Sequence, residues 1–134
     1  MSDYNTQIIE EFRANAGKVG GSWEGRNLLL LTTTGRKSGR SHTTPMVFTP
    51  GDGRLLVYAS KAGAPKHPDW YLNLVADPHV VVEAGGERYD AIATPLEGEE
   101  RDREFALQAE RVPTFAGYQD KTERVIPVVA LRRA

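Results

Sequence analysis

The sequence predicts an α+β fold built on an antiparallel sheet of about six strands, which could close into a small barrel with helices packed around it. First, β-prone runs occur in pairs that are separated by short turns rich in glycine and proline. Second, stretches with apolar residues at helical spacing occur at the start, in the middle and late in the chain. Third, strands and helices do not alternate regularly, which argues against a doubly wound parallel sheet.

Each predicted strand is a short run of β-branched, aromatic or leucine residues bounded by turn residues. The first run, LLLLTTT, is typical of a strand buried on both faces, as in a barrel wall. Pro45 in the second strand and Pro127 in the last favour a sheet edge or a bulge, because proline lacks the N–H that strand pairing needs. The predicted strands are residues 28–34, 42–49, 54–60, 80–84, 87–94 and 124–132.

The first predicted helix, residues 2–16, carries Tyr4, Ile8 and Phe12 at four-residue spacing, which predicts one apolar face. We interpret this face as packing on the sheet, with contact to a membrane surface as the alternative. A shorter helix is predicted for the segment WYLNLVA, and Asp69 directly before it is a suitable N-terminal cap.

The longest predicted helix covers residues 97–112, and the acidic residues at its start favour the helix dipole. Phe105, Ala109 and Val112 mark the face that we expect to be buried. The following residues, 115–122, are predicted to be irregular or to form a single helical turn.

The composition bounds the size of the fold and the kinds of chemistry it can carry. With 134 residues, 40% of them hydrophobic, the chain is predicted to form one domain over residues 1–134, with residues 1–17 as its N-terminal helix. The absence of cysteine excludes disulfides, thiol nucleophiles and iron–sulfur clusters. The net charge of −1 does not favour nucleic acid as a partner. No apolar run could span a bilayer and no signal peptide is apparent, so we expect a cytoplasmic protein with at most peripheral membrane contact.

The turn between the first two strands concentrates positive charge. Residues 35–40, GRKSGR, hold three cations, one hydroxyl and two glycines that allow tight folding with inward N–H groups. Such a turn could hold an anion, above all a phosphate, although the Walker A spacing is absent. An ordinary solvated hairpin is the alternative. Lys61 and Lys66, after the third strand, favour the anion site because antiparallel strands could bring them to the same rim.

The remaining candidate residues point less clearly to a chemistry. His42, His67 and His79 have no metal-ligand spacing, so no metal site is predicted. The nucleophile elbow GxSxG is absent, and Ser60 is interpreted as a hydrogen-bond donor. Four aromatic residues stay open between packing and ligand contact: Trp70 and Tyr71 as core or cofactor wall, Phe115 and Tyr118 as packed corner or lid.

Five segments in a fixed order carry a family resemblance: LLLLTTTGRKSG, TP before a strand, ASK, HPDWYLNLVADP and YQDKTERVIPVV. Together they span about residues 26–131 and resemble the deazaflavin-dependent nitroreductase family, actinobacterial reductases that use the coenzyme F420. The resemblance implies a split β-barrel like that of the FMN-binding oxidoreductases. It also implies F420 as the cofactor, whose phosphate and oligoglutamate tail is polyanionic.

The resemblance further implies roles for individual residues. In the family, the turn matching Arg36, Lys37 and Ser38 binds the acidic tail. The next strand continues along the cofactor, at His42, Thr43, Thr44, Pro45, Met46 and Val47. The pocket around the ring is completed by Tyr58, Ala59, Ser60 and Lys61, by Asp69, Trp70, Tyr71, Leu72 and Asn73, and by Phe115, which closes over it.

The reaction that the resemblance implies is direct hydride transfer from reduced F420 to a small electron-poor acceptor, which is a quinone, a nitro compound or an enone. Ser60 and Tyr118 are the candidate catalytic residues, with Tyr118 or solvent supplying a proton to the product. Two chains could form a homodimer, as related split barrels often do. The alternatives are a non-catalytic F420 carrier and an FMN-dependent split-barrel oxidoreductase.

Overall fold

The structure is a computed structural model that describes residues 3–15, 17–20, 27–51, 53–59, 67–112, 114–122 and 125–134, without the side chains of residues 3–5, 51 and 114–116. These ranges contain seven strands and four helices. In chain order they are α1 (Asp3–Ala14), β1 (Leu28–Thr34), β2 (Ser41–Val47), β3 (Thr49–Gly51), β4 (Arg54–Tyr58), α2 (Asp69–Ala76), β5 (His79–Ala84), β6 (Glu87–Pro95), α3 (Gly98–Arg111), α4 (Thr114–Asp120) and β7 (Val128–Arg133).

The strands form one antiparallel sheet in the order β2-β1-β5-β6-β7-β4-β3. Its two edge strands, β2 and β3, are consecutive in the chain and are separated by Phe48 alone. Because one residue spans only about 3.5 Å, the two edges of the sheet must approach each other there. The sheet is therefore curled into a half-barrel with flanking helices, and the predicted α+β class is confirmed.

Strand β1 is buried on both faces, as its run of leucines predicts. Leu29 and Leu31 are fully buried in the core cluster that includes Leu74 of α2. Leu30, which points to the other face, joins the cluster built around Phe12 of α1. Burying a leucine side chain contributes about 2 kcal/mol, so β1 fixes both helices against the sheet.

The predicted second strand, residues 42–49, is two strands in the structure, and the sheet therefore has seven strands instead of six. Phe48 lies between the two strands, and its N–H donates to the carbonyl of Asn27, the residue before β1, at 3.0 Å. The chain then passes to the opposite edge of the sheet. Pro45 lies in the edge strand β2, as predicted.

Pro127 predicted either a sheet edge or a bulge in the last strand, and the edge position is wrong, because β7 lies between β6 and β4. Strand β7 begins at Val128, so Pro127 precedes the strand pairing and its missing N–H removes no ladder bond. The carbonyl of Pro127 still accepts a hydrogen bond from Ala59 N–H at 2.9 Å. The predicted start of this strand, residue 124, lies outside the described residues.

Helix α2 begins at Asp69 itself, and Pro68 occupies the N-cap position without a side-chain hydrogen bond. The capping role predicted for Asp69 is therefore wrong. Its carboxylate lies in the first helical turn, where it still favours the helix dipole.

Helix α3 buries Phe105 and Gln108, whereas Ala109 and Val112, which were also predicted to be buried, are half-exposed. Phe105 and Gln108 stand three positions apart and so lie on one helical face. Residues 115–122, predicted as irregular or a single turn, fall mostly within the longer helix α4. In the described part of the chain, every helix is too short or too polar to cross a bilayer.

Helix α1 is tied to the β5–β6 hairpin at two places. Arg13 donates two hydrogen bonds to the carboxylate of Glu83, at 3.0 and 2.8 Å. Gly17, with a φ of 96°, lies so close to Gly85 that a Cβ at position 17 would be 2.7 Å from Gly85 Cα. These contacts fix the helix in the position where Ile9 reaches the cavity described below.

Candidate functional site

A cavity of about 700 Å³ opens at the end of the barrel where β1 turns into β2 and where α2 begins. This volume lies within the range of known cofactor and ligand pockets. The cavity is lined by Ile9, Gly35, Arg36, Lys37, Ser38, Ser41, His42, Thr43, Thr44, Asp69, Trp70 and Asn73.

One rim of the cavity is the cation turn, which we define as residues 35–40. Gly35 N–H donates to Arg40 O at 2.7 Å, and Gly39 N–H donates to Gly35 O at 2.9 Å. Gly39 has a φ of 73°, a left-handed conformation that glycine adopts without strain. Ser38 Oγ accepts a hydrogen bond from Arg40 N–H at 3.1 Å. The turn therefore holds its shape largely through its own backbone.

Gly35 is buried, and two polar side chains occupy the space beside it. A Cβ at this position would lie 2.7 Å from Ser38 Oγ and 2.8 Å from His42 Nε2. Both distances are too short for a carbon contact, so a larger residue would push the hydroxyl and the imidazole aside. The glycine thus allows Ser38 and His42 to gather at the wall of the cavity.

Arg36 is held by helix α2. Its main-chain N–H and its Nη1 both donate to Asn73 Oδ1, at 3.2 and 2.9 Å. Asn73 Nδ2 donates in turn to Thr33 Oγ1 at 3.3 Å. Arg36 Nη2 lies 3.6 Å from the carboxylate of Asp69, whose side chain is 89% exposed. The guanidinium therefore has one buried partner and one exposed partner, and an exposed ion pair contributes little.

The lining of the cavity is positively charged on balance. Lys37 lines it and makes no ion pair with the described residues. Arg40, on the same turn, is also without an ion pair there, but it does not line the cavity. The acid in the described wall is Asp69. An anionic ligand would therefore meet Lys37 without displacing a partner, and would compete at Arg36 only with a weak exposed pair.

Another part of the wall is apolar and comes from two helices. Trp70 of α2 and Ile9 of α1 line the cavity. Trp70 also packs against the core cluster that contains Leu31, so it is both a core residue and a cavity wall. Tyr71 packs on the same core and contacts His67 in a tilted arrangement, with ring centroids 4.8 Å apart. The cavity thus combines a cationic rim with an apolar surface large enough to contact a planar ring.

The structure brings together many of the residues that were predicted to contact the cofactor. Those that line the cavity are Arg36, Lys37, Ser38, His42, Thr43, Thr44, Asp69, Trp70 and Asn73. Others lie beside it or elsewhere: Pro45, Met46, Tyr71 and Leu72 are half-buried, and Val47 lines a separate cavity of about 490 Å³. Their contacts with a cofactor remain predictions.

Several further predicted residues lie away from this cavity or outside the description. Tyr58 is buried in the cluster around Phe105, and burial raises the pKa of its hydroxyl, which therefore stays neutral at pH 7. Tyr118 packs against the same cluster, and Ala59 is fully buried. Ser60, Lys61, Lys66 and the side chain of Phe115 lie outside the described residues. The catalytic roles of Ser60 and Tyr118 remain predictions.

Two lining residues, Ile9 and Ser41, escaped prediction from the sequence, and Gly35 was predicted as part of the anion-binding turn but not as a residue of the cavity wall. Gly35 belongs to the GRKSGR motif, but the motif indicates tight folding and not the space that its missing side chain leaves. Ser41 follows the motif directly and could have been included by its position. Ile9 lies beside the predicted apolar face of α1, and only the packing of that helix reveals that it reaches the cavity.

The three histidines have different surroundings. His42 lies against Gly35, His67 contacts Tyr71, and His79 Nδ1 lies 3.2 Å from the Asp77 carboxylate at the surface. Across the described ranges, no three His, Asp or Glu side chains converge in a way that could hold a metal ion.

Comparison with known proteins connects this site to a family. The sequence profile of the F420H2-dependent quinone reductases matches residues 5–133. An F420H2-dependent quinone reductase of Mycobacterium tuberculosis strain H37Rv is 34% identical over 126 residues, which cover 91% of this chain and 85% of that protein. The resemblance to F420-using reductases that the ordered motifs indicate is thereby confirmed.

Solved structures show the same likeness. A structure described as an F420-H2-dependent reductase (FDR-A) is 44% identical with a TM-score of 0.71, covering 80% of this chain and 95% of that chain. Another, described as a domain-swapped dimer, is 38% identical with a TM-score of 0.74 and covers 97% and 98%. The haem storage protein HutZ of Vibrio cholerae, 20% identical with a TM-score of 0.62 and covering 97% and 90%, shares the fold alone. The predicted split-barrel class is confirmed.

Proposed function

Because the chain belongs to the F420H2-dependent quinone reductase family, we propose that it transfers a hydride from F420H2 to a quinone bound beside the cofactor. The observation that carries this proposal is the cavity, which joins the cation turn to the apolar surface of Trp70 and Ile9. F420 has the matching form, a polyanionic tail on a planar ring. The relative's name supports a quinone as the acceptor.

The residues of the cavity fit such a cofactor chemically. Lys37 offers an ammonium without a competing ion pair in the described structure, Arg36 offers a guanidinium, and Ser38 offers a hydroxyl. Phosphate and carboxylate oxygens bind strongly to this set of donors. The glycine at position 35 lets the Ser38 hydroxyl and the His42 imidazole gather at the cavity wall, where an anion could contact them.

The protein's contribution to the reaction is to bind and to orient. When bound, F420H2 supplies a hydride, a two-electron donor that needs no metal or thiol relay. The cation turn would fix the tail and thereby the register of the ring along the cavity, while Trp70 and Ile9 provide apolar contact and exclude water. Hydride transfer converts a quinone into a hydroquinone anion, which needs one proton to become the hydroquinone, and we propose Tyr118 or solvent as the source of that proton.

The acceptor is tested directly by mixing reduced F420 with the protein and a panel of quinones, nitroaromatic compounds and enones. Absorbance in a stopped-flow instrument measures oxidation of the cofactor. We expect enzyme-dependent oxidation that is fastest with a quinone. Tight F420 binding without turnover on any acceptor would favour a non-catalytic carrier, and a yellow protein with tightly bound FMN would contradict the proposal.

A homodimer is part of the proposal. The structural relative described as a domain-swapped dimer covers nearly the whole chain and supports pairing of two copies. Light scattering after size exclusion should give twice the 14.8 kDa chain mass. A mass of one chain at micromolar concentration would contradict it.

The cytoplasm remains the proposed compartment. Fractionation of cells that express the chain should leave most of it in the supernatant after ultracentrifugation. Recovery in the membrane pellet that is released by high salt would instead support peripheral membrane contact.

A further inference from the structure

Asn73 is the hub of a hydrogen-bond chain that runs from strand β1 to the cation turn. It is 5% exposed, and its Oδ1 accepts from both the main-chain N–H and the Nη1 of Arg36. Its Nδ2 donates to Thr33 Oγ1, and Thr33 is 2% exposed. The chain Thr33–Asn73–Arg36 therefore joins the sheet, helix α2 and the turn through a single buried amide.

The orientation of this amide is fixed by its partners. Both contacts from Arg36 are N–H donors, so the atom that faces them must be the oxygen, and the nitrogen must face Thr33. Rotating the amide to direct it at a ligand would leave two Arg36 donors without their acceptor. Hydrogen bonds from a charged group are among the strongest in proteins, so this rotation is strongly opposed.

We propose that Asn73 is a positioning residue, which fixes Arg36 and the backbone of the cation turn and acts on the cofactor only through them. This inference rests on the proposed function, because it states how the residues that would bind the tail of F420 are held in place before binding. The family resemblance alone implies that Asn73 contacts the cofactor directly. The buried contacts assign it a different task, since its oxygen and one of its N–H groups are already engaged inside the protein.

Arg36 depends on Asn73 to hold its side chain in one position. It lies on an exposed turn, and its other contact is the 3.6 Å approach to Asp69, which is nearly fully exposed. That pair alone would not hold a long side chain in one geometry. A cation that is fixed before binding loses less conformational entropy when the anion arrives, and the affinity rises accordingly.

A substitution at Thr33 distinguishes a positioning role of Asn73 from direct contact with the cofactor. Thr33 does not line the cavity, and Thr33→Val removes the acceptor of Asn73 Nδ2 while keeping the branched shape of the side chain. If Asn73 acts by positioning, this change should weaken F420 binding although the altered side chain is not part of the cavity wall. If Asn73 contacts the cofactor directly, freeing its Nδ2 should leave binding unchanged or improve it. Thr34→Val is the matched control, because Thr34 is the next residue of the strand and, within the described residues, no hydrogen bond joins it to Asn73.

The experiment measures dissociation constants by F420 fluorescence for the wild type, Thr33→Val, Asn73→Ala and Thr34→Val. A second probe is the deazaflavin with its ribityl chain but without phosphate and glutamates. We expect F420 binding to weaken by about fivefold in Thr33→Val, by about tenfold in Asn73→Ala and by less than about twofold in Thr34→Val. The tail-less probe should bind all four proteins equally. In turnover, the KM for F420H2 should rise in the same proportion while kcat at saturation stays unchanged.

Hydrogen exchange provides a readout that needs no cofactor. Arg36 N–H donates to Asn73 Oδ1, so its exchange should accelerate in Thr33→Val and Asn73→Ala but not in Thr34→Val. Unchanged exchange, or unchanged F420 affinity in Thr33→Val, would overturn the inference. Wild-type protein that fails to bind F420 at all would instead overturn the proposed function, while the exchange result would still decide the role of Asn73. If Asn73→Ala does not fold, Thr33→Val decides alone.

Discussion

Two arginines in the described part of the chain are held by side-chain amides, and they lie in different regions. Arg101 of α3 donates to Ile126 O at 3.0 and 2.7 Å and to Gln119 Oε1 at 3.0 Å, and its side chain is 11% exposed. We call this set the α3–α4 staple. Arg36 of the cation turn is held by Asn73, is 28% exposed and faces the cavity. Arg101 joins separate parts of the chain, whereas Arg36 lies in the wall of the cavity.

The charged residues around the two arginines differ in the same way. Near the staple, Arg54 is 9% exposed and pairs with Glu100 and Glu104, so positive charge is neutralised inside the protein. On the turn, Lys37 and Arg40 have no ion pair with the described residues. Unpaired like charges on one short turn repel each other and cost stability. We infer that the paired cations contribute to stability, whereas the unpaired cations of the turn are available to an anionic ligand.

The largest effect is expected at the staple. Arg101→Ala removes the donors to Ile126 O and Gln119 Oε1 and should lower the free energy of unfolding by about 3 kcal/mol. Urea denaturation measures the change. Arg103→Ala, on an exposed position of the same helix, is the control and should change stability by less than about 0.5 kcal/mol. An Arg101→Ala protein as stable as the wild type would remove the contrast between the two regions.

The opposite pattern is expected on the turn. Lys37→Ala should weaken F420 binding by about tenfold and leave the free energy of unfolding unchanged within about 0.5 kcal/mol, because the ammonium has no partner to lose in the described structure. Arg40→Ala removes the same charge from the same turn but outside the cavity lining, so it should weaken binding by only about threefold. Fluorescence titration measures both constants. Equal losses in the two variants would show that general charge, and not the cavity, governs binding.

Replacing a glycine by alanine should change stability by a smaller amount, with opposite signs in the two regions. Gly39 has a φ of 73° and no atom within 4 Å of a built Cβ, so Gly39→Ala should destabilise by about 1 kcal/mol through backbone strain alone. Gly117 lies in α4, also without close neighbours, and Gly117→Ala should stabilise by about 0.5 kcal/mol because alanine favours helices. Thermal unfolding should shift in opposite directions. A shift in the same direction for both would contradict the turn geometry.

Ionic strength should have the smallest effect, and it should act on the cation turn but hardly on the α3–α4 staple. Raising the ionic strength from about 0.1 M to about 1 M shortens the Debye length from about 10 Å to about 3 Å. The affinity for F420 should then fall by about fivefold, since it depends on exposed cations. The destabilisation caused by Arg101→Ala should stay nearly constant, since that guanidinium is mostly buried. An F420 affinity that is independent of salt would argue against a tail bound by the cation turn.

The sequence predicts the fold class, the β1–β2 and β5–β6 pairs and the turn whose Arg36 and Lys37 line the cavity, because these depend on local patterns. The GRKSGR turn and the buried β1 strand are examples. The split of the second strand at Phe48 and the interior position of β7 depend on how the sheet curls, which no local pattern records.

The candidate site shows the same limit. The family motifs indicate which residues gather around the cavity, and many of them do so. The partners of Asn73 were not predicted, because its bonds to Arg36 and Thr33 join residues 37 and 40 positions apart. The arrival of Ile9 at the cavity likewise depends on the docking of α1 through Arg13 and Glu83.

The proposed function depends on binding of the acidic tail of F420 by the cation turn. The most direct measurement compares wild-type affinity for F420 with its affinity for the deazaflavin that lacks phosphate and glutamates. We expect the complete cofactor to bind at least about a hundredfold more tightly, and the gap to shrink by about tenfold in Lys37→Ala. Equal affinity for the two compounds in the wild type would contradict binding of the tail by the turn.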